Sequence, residues 1–395
     1  MSDTTTTTPT LPEKFETLKD GLRTHLIERN DIIETQVLAL VSGTHHFQLG
    51  EPGVAKSRSI VKMMEMIGGD YNFFDTLMTR TSTPEEINGP VSLKGLEEDR
   101  FAFVTKGFAP EAHVWFLDEI WKANSAILNT LLWALNERKF RNDGQVHDLP
   151  LHTMFCASNE LPDGEELNAI YDRVQFRLIT KRIQEPGNFI QMLKISASGP
   201  TDKLITWDEI QEAHQASLAV EVPGDVLDAL QTVRADLRTD GIEPTDRRFV
   251  ECLKIIRAAA YLDGQTVADI EHMRPLAHVL WTSKEEQPKV ERLLLELANP
   301  LDKEAMSLLE TVEKLSSELD KVLADKSVDP QLKNKKGVEL HNKVDKAKDD
   351  LHKLSKQVES SKRKSAKVEE VRTRLLSVTK RLLKEIFNID TEVSL

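Results

Sequence analysis

From Leu301 onward, apolar residues recur at steps of four and three: Leu301, Ala305, Leu308, Val312, Leu315, Leu319 and Val322. The rhythm resumes at Leu340, Val344, Ala347, Leu351, Leu354 and Val358, and again at Val368, Val371, Leu375, Val378 and Leu382. Such steps keep one narrow apolar stripe on a helix. The series break at Ser327–Pro330, where proline disfavours helix in the residue before it, and at the polar stretch Glu359–Lys364. Breaks at these intervals predict three antiparallel helices of roughly 25–30 residues. One long coiled coil between chains is the alternative.

The first 300 residues alternate helix and strand instead. Helical patterns cover Glu13–Asn30, Ile32–Val41, Lys56–Ile67 and Ala126–Arg138. Short apolar runs at His46–Leu49, Tyr71–Phe74, Val114–Leu117 and Thr153–Ala157 read as buried strands. That alternation predicts a parallel α/β sheet covered by helices. From Trp207 to Trp281 the pattern is helical throughout, which predicts a small all-α lid, with a hinge near Leu204–Trp207. All five Trp and all three Tyr precede residue 301, and beyond it Phe387, Pro330 and Gly337 are the only aromatic, proline and glycine. The expected divisions are a disordered leader over 1–11, an α/β core over 12–203, a lid over 204–300 and a triple-helical domain over 301–395.

Composition narrows the function classes. No run of about 18 apolar residues occurs, so no membrane span is expected. The Thr-rich start lacks the apolar segment of a signal peptide. Cys156 and Cys252 are the only cysteines, too few for a disulfide framework or a four-cysteine zinc site. Together these point to the cytoplasm. The net charge is −13: residues 301–395 hold 21 Lys+Arg against 18 Asp+Glu, leaving 31 against 47 in the remainder. An acidic body disfavours non-specific binding to nucleic acid or anionic lipid. The basic clusters Lys333, Lys335, Lys336 and Lys362, Arg363, Lys364, Lys367 read as solvated helix faces or turns.

Chemistry concentrates at three strand ends. Gly50-Glu51-Pro52-Gly53-Val54-Ala55-Lys56-Ser57 follows one strand and opens a helix. Turn glycines let backbone amides converge on phosphate oxygens, Lys56 adds a positive charge, and the Ser57 hydroxyl can ligate Mg²⁺. Ala55 replaces the usual glycine before the lysine, so this turn is expected to stay where L-residues are at ease. The strand Val114–Leu117 runs into Asp118-Glu119, a pair suited to nucleotide hydrolysis. Asp118 would hold the Mg²⁺ shell and Glu119 would polarise the attacking water. Asn159 ends the next strand, where its amide could help hold that water. Arg173, Arg177, Arg247 and Arg248 could neutralise charge on a transferring phosphoryl group.

The stretches GEPGVAKS, FLDEIWKANSAILNTLLWALNERKFRN and ASNELPDGEELNAIYDRVQFRL resemble the MoxR branch of AAA+ ATPases, in particular its RavA-like subgroup, over roughly residues 12–300. An Ala-Lys-Ser ending of the phosphate loop is typical of that branch. The resemblance implies an AAA+ core, a hexameric ring and ATP with Mg²⁺ bound between subunits. It places Lys56 and Ser57 on Walker A, Asp118 and Glu119 on Walker B, and Asn159 on sensor 1. Arg173 matches the arginine finger, with Arg177 as runner-up. Arg247 matches sensor 2 better than Arg248, because it stands third in Thr245-Asp246-Arg247, where the branch commonly has Ser-Pro-Arg. Pro84–Val104 resembles a hairpin-like insertion in the second core helix, and Arg138–Leu149 a second hairpin before sensor 1. The latter also reads as a hairpin from Asp143-Gly144, a favoured tight-turn pair.

The resemblance implies chaperone-like remodelling of a separate partner, commonly one with a von Willebrand factor A domain. RavA carries a β-rich insert in its triple-helical domain, and the three helical series here leave no room for one. An ATP-controlled assembly switch, with the helical tail as scaffold, is the second class, and a nucleic-acid motor the third. Stimulation of ATPase activity by a protein client, by self-assembly or by nucleic acid separates them.

Overall fold

The computed structural model describes residues 9–195, 202–298, 300–324, 330–361 and 366–387. The chain opens with α1 (Leu11–His25), α2 (Asn30–Ser42), β1 (His46–Gly50), α3 (Lys56–Met66), β2 (Ile67–Gly68), β3 (Phe73–Leu77), α4 (Pro84–Asn88) and α5 (Leu93–Glu97). There follow β4 (Val114–Asp118), α6 (Ser125–Glu137), β5 (Lys139–Asn142), β6 (Gln145–Asp148), β7 (Thr153–Ser158), α7 (Glu165–Arg173), β8 (Phe176–Thr180) and α8 (Pro186–Lys194). Next come β9 (Ile205–Thr206), α9 (Trp207–Leu218), α10 (Gly224–Thr239), α11 (Asp246–Leu262) and α12 (Gln287–Ala298). The last helices are α13 (Pro300–Ala324), α14 (Pro330–Ser361) and α15 (Ala366–Glu385).

The main sheet has five strands in the order β3-β4-β7-β1-β8, every pair parallel. Strands buried on both faces need continuous apolar runs, and β1 and β7 are buried at every position. On one face Phe47 meets Trp121 and Tyr171 in a tight aromatic group. Register brings the strand ends level: Asp118 lies opposite Ala157, and Leu49 opposite Ser158. The carboxyl ends of β4, β7 and β1 are therefore adjacent, which is where open α/β sheets bind ligands.

The fifth strand, β8, is a correction to the sequence reading, which assigned no strand there and took its second residue, Arg177, as runner-up for the arginine finger. Arg177 is almost fully buried in β8. Its guanidinium lies 3.6 Å from the Tyr171 ring centroid and donates to the carbonyls of Tyr171 and Trp281. The charge hid an apolar strand because those carbonyls satisfy it internally.

The insertion over 84–104 is hairpin-like, as expected, but its tip is helical: beside α4, the Ser92 N–H donates to the Ala102 carbonyl at 2.7 Å and the Val104 N–H to that of Pro90 at 2.8 Å, with α5 between the paired ends. The second insertion is the hairpin expected: β5 pairs with β6, Asn142 opposite Gln145, and Asp143 and Gly144 at the tip have φ of 50° and 72°. The Asn142 amide joins the two insertions, accepting from the Phe103 N–H at 2.7 Å and donating to its carbonyl at 3.1 Å. The segment expected to hinge is held as well. Leu204 N–H donates to the Met66 carbonyl at 2.8 Å, and β9 pairs with β2. Thr206 and Glu209 then cap α9 reciprocally, at 3.3 and 2.8 Å.

Two compact units divide between Glu291 and Arg292, within α12. In the second unit the three apolar stripes form one core: Val312, Leu315 and Leu319 of α13 join Val344 and Leu351 of α14 and Val371 and Leu375 of α15. The helices alternate in direction, since Lys343 pairs with Glu318, and Arg372 reaches Ser355. Both interhelix turns, the basic cluster 362–364 and the leader up to residue 8 lie outside the described residues. Among the described residues no helix is long and apolar enough to cross a membrane, and no group of three or more His, Cys, Asp or Glu could hold a metal.

Candidate active site

The phosphate loop is shaped by two backbone requirements. A Cβ on Gly50 would stand 2.6 Å from the Thr180 carbonyl oxygen, so only glycine lets β8 lie this close. Ala55 sits at φ 67° and ψ 30°, in the left-handed well. This overturns the expectation that alanine keeps the turn in ordinary space: the chain must reverse here to start α3 at Lys56. The conformation costs an alanine about 1 kcal/mol. Ala55→Gly is therefore expected to raise unfolding stability by about 1 kcal/mol, read as a higher denaturant midpoint. An unchanged or lower midpoint would contradict the strain.

Lys56 is buried at the mouth of the loop. Its ammonium donates to the carbonyls of Gly50 at 2.5 Å and Glu51 at 3.1 Å. Burial pulls its pKa below the ordinary lysine value, opposed in part by the charges of Glu119 and Asp118. The Ser57 hydroxyl donates to Asp118 Oδ2 at 2.7 Å, and the Glu119 N–H donates to Asp118 Oδ1 at 3.0 Å. A hydroxyl and a carboxylate reaching one point are hard oxygen donors of the kind Mg²⁺ prefers, so the residues present fit that ion.

Glu119 leaves β4 at φ 53°, which turns its side chain away from the strand direction. Its Oε2 is buried and forms an ion pair with the Lys122 ammonium at 3.2 Å. Asn159 is exposed just past β7, on the strand between those of Lys56 and Asp118.

The four arginines separate cleanly. Arg177 is buried in β8 and cannot serve as a finger. Arg248 is equally buried and donates to the Val174 and Gln175 carbonyls, so it braces α11 against the start of β8. Arg173 caps the end of α7, bonded to Asn136 and to the Ala169 carbonyl, and stays partly exposed. Arg247 is exposed and lies 3.5 Å from Asp172, whose other oxygen accepts from Thr245 at 2.8 Å. The two remaining candidates thus share one acidic neighbour, and the Arg247 charge helps burial lower the Arg173 pKa. That meeting was invisible in sequence, where they lie far apart.

Arg29 was also missed. Its guanidinium is buried and donates to the carbonyls of Val54 at 3.3 Å and Lys181 at 2.8 Å. It stands at the N-cap of α2, where a cation faces the positive end of the helix. That mismatch was the available signal.

The chain matches the family model for the MoxR domain in the MoxR-vWA-beta-propeller ternary systems over residues 13–218, and an AAA lid domain over residues 225–294. Two uncharacterized proteins of Methanocaldococcus jannaschii are similar. One is 31% identical over 359 residues, covering 91% of this chain and 94% of the relative. The other is 33% identical over 313 residues, covering 79% and 83%. A structural protein of Acidianus two-tailed virus is 28% identical over 218 residues, 52% of this chain and 35% of that protein. A crystal structure of a candidate ATPase from Cytophaga hutchinsonii shares the fold, with a TM-score of 0.58 at 14% identity, covering 73% of this chain and 95% of that one. The matched model covers more than half of the chain, and the parallel sheet and the lid are those the motifs required: the chain belongs to the MoxR-type AAA+ ATPases.

Proposed function

We propose that this chain hydrolyses ATP between Gly50–Ser57 and Asp118-Glu119, in a cytoplasmic ring of copies, hexameric by resemblance, and that the cycle remodels a partner protein. The observation that carries the reading is the Ser57–Asp118 contact at 2.7 Å, which joins residues 61 positions apart beside the buried Lys56. The amides of Gly53, Val54, Ala55 and Lys56 would receive phosphate oxygens, with Glu51 and Pro52 forming the outer rim of the loop. Ser57 and Asp118 would hold Mg²⁺, which when bound neutralises charge on the phosphates. Glu119 orients the water and takes its proton on a carboxylate oxygen, and Asn159 steadies the same water.

Arg173 completes the site from a neighbouring copy as its arginine finger, and Arg247 serves as sensor 2. Arg173 is held by Asn136 on α6 and the Ala169 carbonyl on α7, and Arg247 by Asp172 at the end of α7. Mixing Arg173→Ala subunits with Glu119→Gln subunits should restore part of the activity, because some interfaces then hold both intact groups.

The first test is Lys56→Ala. Loss of a charge-assisted contact of about 1.5–3 kcal/mol should weaken ATP binding about 10- to 100-fold in calorimetric titration. Wild-type affinity in the variant would remove the phosphate loop from its role. The partner is a separate protein with a von Willebrand factor A domain, as in the systems that name the matched model. ATP-controlled assembly is the second reading, favoured by the likeness to a viral structural protein. Adding a purified von Willebrand factor A domain protein to the ATPase assay distinguishes the two, since assembly alone should need no addition.

A further inference from the structure

We infer that Arg29 is a positioning residue for the phosphate loop: it aims the Ala55 amide at the nucleotide by holding the Val54 carbonyl from behind. The inference rests on the ATP-binding reading of that loop. The peptide between Val54 and Ala55 is trans, so its C=O and N–H point in opposite directions. A donor that fixes the carbonyl on one side therefore fixes the amide on the other. Ala55 then turns left-handed and Lys56 begins α3, an arrangement in which successive N–H groups converge on an anion.

The guanidinium is built for this and little else. Its Nη2 bridges Val54 and Lys181, and its Nη1 takes the Glu28 carbonyl at 2.8 Å, so each terminal nitrogen bonds a backbone carbonyl. The Nε is buried and makes no hydrogen bond. The charge is therefore spent on backbone and does not face the phosphates. The other anchor is the end of β8, the strand already touching Gly50. Glu28 secures the same segment, accepting from the N–H groups of Gln184 at 2.8 Å and Glu185 at 3.0 Å. Outside, Arg182 pairs with Glu51 of the loop at 2.7 Å. One short stretch before α2 thus ties the loop to the strand beside it.

Arg29→Lys and Arg29→Met separate this role from its rivals. Lysine keeps the charge but is a point donor without the planar fork that spans three carbonyls. Both variants should bind ATP and ADP about tenfold more weakly, because both nucleotides use the same amides, at a temperature where circular dichroism shows them folded. If Arg29 acted by its charge on the phosphates, Arg29→Lys would bind as wild type while Arg29→Met would not, and the inference would fail. If it served only stability, melting temperatures would drop with dissociation constants unchanged, and it would fail again. An Arg29→Lys chain that does not fold also counts against it, since the residue would then belong to the fold rather than to the loop. Should the wild-type chain bind no nucleotide, the ATPase reading falls and takes this inference with it. Should wild type bind and Lys56→Ala not, with both Arg29 variants unaffected, this inference alone is lost.

Discussion

Glu119→Gln is expected to keep ATP binding within a few-fold of wild type and to cut turnover about 10²- to 10⁴-fold, the usual span for a general base. Glutamine preserves the shape and can still orient a water, but it cannot take the proton. The neighbouring contacts do not depend on the carboxylate: Asp118 is held by Ser57 and by the backbone N–H of residue 119. Lys56 is anchored on the Gly50 and Glu51 carbonyls. The variant does remove the ion pair with Lys122, which is half exposed and worth little in affinity. Single-turnover phosphate release, measured beside equilibrium ATP binding, separates the two effects. Hydrolysis within a few-fold of wild type would take Glu119 out of the chemistry. Loss of binding would mean that its charge is needed to balance Lys56.

Acid is expected to unfold the first unit well before its carboxylates titrate. Two histidines, His45 and His46, are buried at the start of β1, and a third, His152, is part-buried before β7. Burial drives the His46 pKa down to about 3, helped by the charge of His278. Burial also drives His152 down to about 4, although its Nε2 donates to the Leu40 carbonyl. His45 falls well below the usual value, through burial and then the Arg138, Lys254 and His152 charges. Its Nδ1 accepts the Met154 N–H at 3.0 Å, a bond that protonation would break.

In the unfolded chain these groups protonate near pH 6.5, whereas in the folded chain His46 and His152 stay neutral down to about pH 4, and His45 is shifted in the same direction. The unfolded state therefore binds more protons, and stability is lost as pH falls from 6.5. At pH 5 His46 and His152 each contribute about 2 kcal/mol of loss, about 4 together, with His45 acting in the same direction, against a typical total of about 5–15 kcal/mol. His272 works the other way: burial lowers its pKa, but Asp263 and Asp269 raise it above the ordinary value and offset part of the loss. Urea midpoints at pH 7, 6 and 5 measure the trend, and His152→Gln should flatten it. Equal midpoints at pH 7 and 5 would refute it.

Much of this molecule could be read locally. The steps of three and four in the last 95 residues named nearly every residue of the bundle core, from Ala305 to Leu382. The motifs at Gly50–Ser57 and Asp118-Glu119 were equally plain, because phosphate and metal chemistry restricts residue types at adjacent positions. Strands β1, β4 and β7 were visible as short apolar runs, since a parallel strand is buried on both faces. Strand β8 was not, because Arg177 interrupts the run and its carbonyl partners come from elsewhere in the chain. Nor could spacing show that α5 forms the tip of the first insertion or that Asn142 of the second bonds the Phe103 backbone.

Periodicity and contiguous motifs depend on neighbours along the chain, so the helices, most of the sheet and the phosphate loop were already written in residue order. Partners of buried charge depend on neighbours in space. Four arginines of one chemical type became two buried braces, Arg177 and Arg248, one exposed group, Arg247, and one partly exposed group, Arg173, only once folding settled which carbonyls stood within reach. The left-handed turn at Ala55 and its support by Arg29 belong with them, for a backbone angle is chosen by everything packed around it and not by the side chain it carries.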